Sequence, residues 1–87
     1  MRNRVKNVKD LFKAYDKLMY ATDTEETIEA AKEMKNFLNF LKDQMEPNGA
    51  LSGLMCDLKD VEKKKSPKEA ITIPMIYDLI REIVMAK

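Results

Sequence analysis

The feature that most constrains this chain is a run of four apolar stripes, each repeating at intervals of three and four residues and separated by short polar breaks. That spacing is the signature of one buried face on an α-helix. In the first segment Val5, Val8, Leu11, Phe12, Tyr15, Leu18 and Met19 share such a stripe, which predicts a helix from about Asn3 to Tyr20. Its lysines and aspartates fall on the opposite face.

The breaks carry their own chemistry. Ala21-Thr22-Asp23-Thr24 ends the first helix, and Asp23 with Glu26 forms a capping-box pattern, with Thr22/Glu25 as a competing register. The predicted second helix runs to about Met45 with Ile28, Ala31, Met34, Leu38, Leu41 and Met45 as its stripe, widened by Phe37 and Phe40. Glu46-Pro47-Asn48-Gly49 stops it, because proline excludes helical geometry from the residue before it and Asn-Gly turns the chain. The third helix is expected from about Ala50, on Leu51, Leu54, Met55, Leu58 and Val61, with Lys63, Lys64 and Lys65 complementing the dipole in its last turn. Ser66-Pro67-Lys68-Glu69 reads either as a loop or as a single capped turn. Thr72 is the expected N-cap of the last helix, with Ile71 and Ile76 as a hydrophobic staple and Ile73, Ile76, Tyr77, Ile80, Ile83 and Val84 as the stripe.

Four amphipathic helices on short connections predict an all-α fold, an antiparallel up-down-up-down four-helix bundle, with residues 1–87 as a single domain. A chain of 87 residues has no room for a second core, and two glycines and three prolines are too few for the turns of a β-sandwich. The charge distribution fits this pairing. Residues 1–20 carry six basic against two acidic side chains, and residues 21–49 three against seven, so the first two helices are electrostatically complementary.

Composition also narrows the function. Histidine is absent and Cys56 is the sole cysteine, which removes most zinc sites, disulfide frameworks and histidine-based catalysis. No glycine-rich phosphate loop or nucleophile elbow occurs. The carboxylates Glu25, Glu26, Glu29 and Glu33 could form an all-carboxylate metal site, but a solvated acidic face with a helix cap is the favoured reading. Cys56 is read as a small half-buried packing residue, and the methionines chiefly as core fillers. The chain is therefore expected to be no enzyme and to need no cofactor. A net charge of +1 provides no general attraction to nucleic acid, and no nucleic-acid partner is expected. Two basic clusters, the arm Arg2, Arg4, Lys6 and the run Lys63, Lys64, Lys65, Lys68, are the places that could meet phosphate. No apolar run is long enough to cross a bilayer and no export signal follows the charged N-terminus, so a cytoplasmic location is expected.

The segments Met34-Lys35-Asn36-Phe37-Leu38-Asn39-Phe40-Leu41-Lys42-Asp43-Gln44, Ala50-Leu51-Ser52-Gly53-Leu54-Met55-Cys56-Asp57-Leu58 and Ile73-Pro74-Met75-Ile76-Tyr77-Asp78-Leu79-Ile80-Arg81-Glu82-Ile83 together resemble the immunity proteins of pediocin-like (class IIa) bacteriocins. The similarity covers about residues 30–85 as a pattern of apolar positions. It implies a small cytosolic helical bundle that protects a producer cell by binding, acting on a membrane sugar-transporter complex engaged by the antimicrobial peptide, with peripheral membrane association compatible with that task. It also implies that specificity resides mainly in the C-terminal half. On this chain that half supplies Lys63, Lys64, Lys65 and Lys68 as the expected partner-binding residues. The alternatives are a small phage or mobile-element regulatory or nucleic-acid-associated protein, and a helical module that dimerises to complete its core.

Overall fold

A computed structural model describes residues 4–44 and 49–85. Among them the secondary structure is entirely helical: α1 (Arg4–Tyr20), α2 (Thr24–Lys42), α3 (Gly49–Glu62), a single 3₁₀ turn (Lys68–Ala70) and α4 (Ile73–Met85), with no strand. Met45 and the Glu46-Pro47-Asn48 break, like the arm residues Arg2 and Asn3, lie outside the described residues. Helix α1 packs against α2 and α4, and α3 packs against the same two, so each helix has two principal neighbours around one core. The molecule measures 38 × 21 × 21 Å.

The capping signals act locally and in the register read from the sequence. Asp23 is extended and its carboxylate accepts from the Glu26 N–H at 2.8 Å, which satisfies one of the free donors at the start of α2. The Glu26 carboxylate reaches back to the N–H and hydroxyl of Thr22, at 3.0 and 3.1 Å, one residue earlier than in the standard capping box. At α4 both residues of the expected staple, Ile71 and Ile76, are buried in the core. Here the Met75 sulfur, in the position a Glu or Gln would hold, accepts from the Thr72 N–H at 3.5 Å.

Two of the four stripes are buried at their centres, with Ile28, Phe37 and Met55 at their margins half-buried and Phe40 exposed. Met34, Leu38 and Leu41 with Ala30 and Ala31 seal α2, and Leu51, Leu54, Leu58 and Val61 seal α3. Full burial of a leucine stabilises by about 1.5–3 kcal/mol, so these two helices supply most of the core. The α1 stripe faces the core as read but is only partly covered, and the α4 stripe is rotated relative to the sequence reading. In α1 Leu11 and Leu18 are buried together with the polar Asn7, Val8, Phe12, Tyr15 and Met19 are half-buried against the core, and Val5 is exposed. In α4 the core residues are Ile76, Leu79 and Ile83, whereas Ile73, Tyr77 and Val84 are exposed. Leu79 belongs to the core although the spacing reading omitted it. The cause is an apolar arc on α4 wider than the face its neighbours can cover, so spacing alone cannot locate its buried centre. Phe37 and Phe40 stack with centroids 6.3 Å apart on the outer edge of α2, where Phe37 is half-buried and Phe40 exposed. Cys56 is exposed, which corrects its reading as a packing residue.

Candidate functional site

Of the four lysines singled out from the sequence, Lys63, Lys64 and Lys65 follow the end of α3 rather than lying within its last turn. The helix stops at Glu62, and the chain then closes a Schellman motif. The Lys65 N–H donates to the Asp60 carbonyl at 2.8 Å and the Lys64 N–H to the Val61 carbonyl at 3.1 Å. Closing these bonds requires a left-handed residue at Lys64, whose φ is +62°. Glycine is the usual occupant of that position, because a Cβ there crowds the following carbonyl. Lysine holds it here, and its side chain is exposed alongside those of Lys63 and Lys65.

Lys68 behaves differently. It opens the 3₁₀ turn and is half-buried, with Nζ donating to the Met19 carbonyl at 2.7 Å and the Ala21 carbonyl at 2.6 Å. Those carbonyls belong to the C-terminal end of α1, where the last turn lacks helical partners and carries partial negative charge. Lys68 therefore ties the linker to the end of α1. The ambiguous Ser66–Glu69 stretch resolves into this turn, entered through an extended Pro67 without a side-chain cap.

The linker and the α1–α2 connection together enclose an open cavity of about 580 Å³. Its wall combines Lys64, Lys65 and Lys68 with the hydroxyl-bearing Thr22, Thr24, Thr27 and Ser66. Lys63 is not part of that wall. Thr22 donates to Glu26, and Thr27 donates to the Asp23 carbonyl at 2.8 Å, so the hydroxyl protons are engaged while oxygen lone pairs remain. The sequence showed the lysine cluster but not the threonines opposite it, which lie about forty positions earlier in the chain.

The acidic face of α2 has a structural role. Glu26 caps, and Glu33 receives Lys17 of α1 at 2.6 Å in a pair exposed by more than half. The Glu33 hydrogen bond raises the Lys17 ammonium above its ordinary value, with burial opposing and the charges of Glu33 and Glu29 adding. Lys35 of α2 meets Glu62 of α3 at 2.5 Å with only about a fifth of each side chain exposed. That bond holds the Glu62 carboxyl below its ordinary value, against burial and with help from the charges of Lys35, Lys32 and Lys63. Among the described residues no group of three or more acidic or cysteine side chains could hold a metal ion, and no helix is long and apolar enough to cross a membrane. Comparison of the chain with protein families, curated proteins and solved structures finds no match.

Proposed function

We propose that this chain is a cytoplasmic immunity protein of the pediocin-like bacteriocin type, an antiparallel up-down-up-down bundle that protects its cell by binding rather than by catalysis. Its partner in this reading is a membrane sugar-transporter complex engaged by the antimicrobial peptide, met through the surface that follows α3. The supporting observation is the α3–α4 connection: three exposed lysines on a loop held in a left-handed turn, beside an open cavity, at one end of a leucine-rich core. Recognition commonly resides on surface connections that a rigid scaffold holds in place, and local backbone strain often marks them.

A sensitive bacterial strain expressing the chain, challenged with a panel of pediocin-like peptides, tests the proposal. Resistance to one peptide or a subset is expected. Exchanging residues 50–87 for those of a related bundle should switch which peptide is resisted. The triple change Lys63→Glu, Lys64→Glu, Lys65→Glu should weaken protection with helicity and unfolding midpoint little altered. Lys68 is left in place because it caps α1. Unchanged sensitivity to every peptide, with the protein abundant and folded, would overturn the proposal.

A further inference from the structure

We propose that the α3–α4 connection is a hinge with two states, centred on Lys64 and pinned by Lys68, whose opening frees α4 from the bundle as one unit. The inference rests on that connection and does not depend on the immunity reading. In the closed state α3 stops at Glu62 and Lys64 is left-handed, with φ +62°. The Lys64 N–H donates to the Val61 carbonyl and the Lys65 N–H to that of Asp60. A second state uses the same donors and acceptors. If α3 continues through Lys65, the Lys64 N–H takes the Asp60 carbonyl and the Lys65 N–H that of Val61, the ordinary bonds to the residue four back. Only the Ser66 N–H, 3.3 Å from the Asp60 carbonyl, loses its partner. In exchange the left-handed Cβ contact at Lys64 is relieved. Lysine is a good helix former, whereas the glycine usual at this position resists continuation. Pro67 limits the extension, because proline disfavours helical geometry at Ser66.

The second state is opposed by the docking of the strap, residues 63–72, and of α4. Re-aiming the chain after Lys65 takes Lys68 from the Met19 and Ala21 carbonyls and Ile71 from the core. Beyond these two anchors α4 is held by apolar contact through Ile76, Leu79 and Ile83 and by the edge of Tyr77 on Phe12. Among the described residues no ion pair or side-chain hydrogen bond joins α4 to another helix, and Asp78, Arg81 and Glu82 are exposed. With 13 residues, no acidic residue in its first turn and no basic one in its last, α4 is too short and too weakly capped to stand as a helix without its neighbours. Helix α2, by contrast, is capped by Asp23 and ion-paired to both α1 and α3. The bundle therefore parts at α4, and Lys68 is the directional contact that holds it shut. Opening adds Ile76, Leu79 and Ile83 to the exposed Ile73, Tyr77 and Val84, so the hinge sets whether the inner face of α4 is shown or withheld.

Native-state hydrogen exchange on the full chain tests the hinge. In the parent the α4 amides should exchange through one common opening, faster than the slowest amides of α2 and α3. Lys68→Met removes the pin. It should raise the α4 rates about five- to thirtyfold, the same factor by which it lowers the folding equilibrium constant measured in urea, and the last turn of α1 should follow. Lys64→Gly acts in the opposite direction. It should slow the α4 amides by a larger factor than those of α2 and α3, because glycine suits the left-handed turn and resists the continued helix. If α4 exchanges only together with α2 and α3, it leaves only when the whole protein unfolds, and the proposal is overturned. Rates in α4 untouched by Lys68→Met also overturn it, since α4 then frays with the strap in place. Equal slowing of all three helices by Lys64→Gly would remove the helix extension on which the hinge depends.

Discussion

The α2–α3 side and the α1–α4 side of this molecule solve the same packing problem to different degrees. Between α2 and α3 the apolar positions are nearly all used. Leu38, Leu41, Leu54 and Leu58 are fully covered, and Lys35–Glu62 closes the margin with little exposure. Between α1 and α4 only Leu11, Leu18, Ile76, Leu79 and Ile83 are covered, while Val5, Tyr77 and Val84 remain in water next to them. Helix α4 is the more apolar by sequence, so this exposure does not come from a shortage of hydrophobic residues. It comes from an arc broader than two neighbours can bury. One side of the bundle is finished by the chain itself, and the other keeps apolar surface available.

The sharpest way to break this comparison is to truncate one residue from each side. Leu38→Ala removes a fully buried side chain from a tightly packed site and should cost about 3–4 kcal/mol through lost transfer energy and the cavity left behind. Val84→Ala should change stability by less than about 0.5 kcal/mol, as substitutions on an exposed surface usually do. Urea unfolding of the two variants checks this. Comparable losses would show that the α1–α4 side is sealed in solution. Phe37→Ala should fall between them, because the ring packs on the core with one edge in water.

A smaller loss is expected from Lys68→Met, which keeps the aliphatic stem and removes the donors. Two carbonyls at the end of α1 lose a charged partner, and hydrogen bonds of that kind contribute about 1.5–3 kcal/mol when buried. The site is half-buried and water can replace part of the bonding, so about 1–2 kcal/mol is the expected loss in thermal or urea unfolding. Hydrogen exchange should locate the effect in the last turn of α1. A loss confined to the α4 amides would show that Lys68 does not anchor the linker to α1.

Legibility in the sequence followed the range of the interactions. The Asp23 cap closes within three residues and the buried Ile71 and Ile76 lie five apart, so residue type and spacing suffice to find them. On α2 and α3 the spacing of the leucines locates the buried face, although Phe40, read as widening the α2 stripe, is exposed. On α4 the arc is wide, and which part is buried depends on where the neighbouring helix lies. That is why Tyr77 and Val84 read as core and Leu79 did not. The site divides in the same way. A lysine cluster is visible in any sequence, but the bonds from Lys68 to residues 47 and 49 positions away exist only once α1 and the linker meet. The left-handed Lys64 gave no signal either, because the motif usually announces itself through glycine.

Lys64 provides a change in the opposite direction. Lys64→Gly should stabilise by about 0.5–1 kcal/mol, since relief of the left-handed Cβ contact outweighs the extra freedom glycine gives the unfolded chain. Lys64→Ala should give no such gain, because it removes the charge and keeps the Cβ. Equal effects of the two would assign the difference to charge and sink the backbone explanation.

The smallest expected effect separates the two interhelical ion pairs. Glu62 binds a proton less readily in the folded protein than in the unfolded chain, because Lys35 holds its carboxylate. Its contribution is complete above the ordinary carboxyl value of 4.5 and disappears as pH falls through the lower folded value. Lys17 is the converse: its contribution is complete below the ordinary ammonium value of 10.5 and is lost as pH rises through the higher folded value. The pairs should also differ in their response to salt. Lys17–Glu33 is open to solvent, with side chains 59% and 55% exposed, whereas Lys35–Glu62 is 22% and 21% exposed. Screening acts most on exposed charges. Unfolding midpoints measured against pH for the parent chain, Glu62→Gln and Glu33→Gln should therefore diverge on the acid side for the first variant. Adding 1 M salt, where the screening length is about 3 Å, should erase the difference between parent and Glu33→Gln before that between parent and Glu62→Gln. Parallel acid profiles for parent and Glu62→Gln would show that the α2–α3 margin is held by its leucines alone.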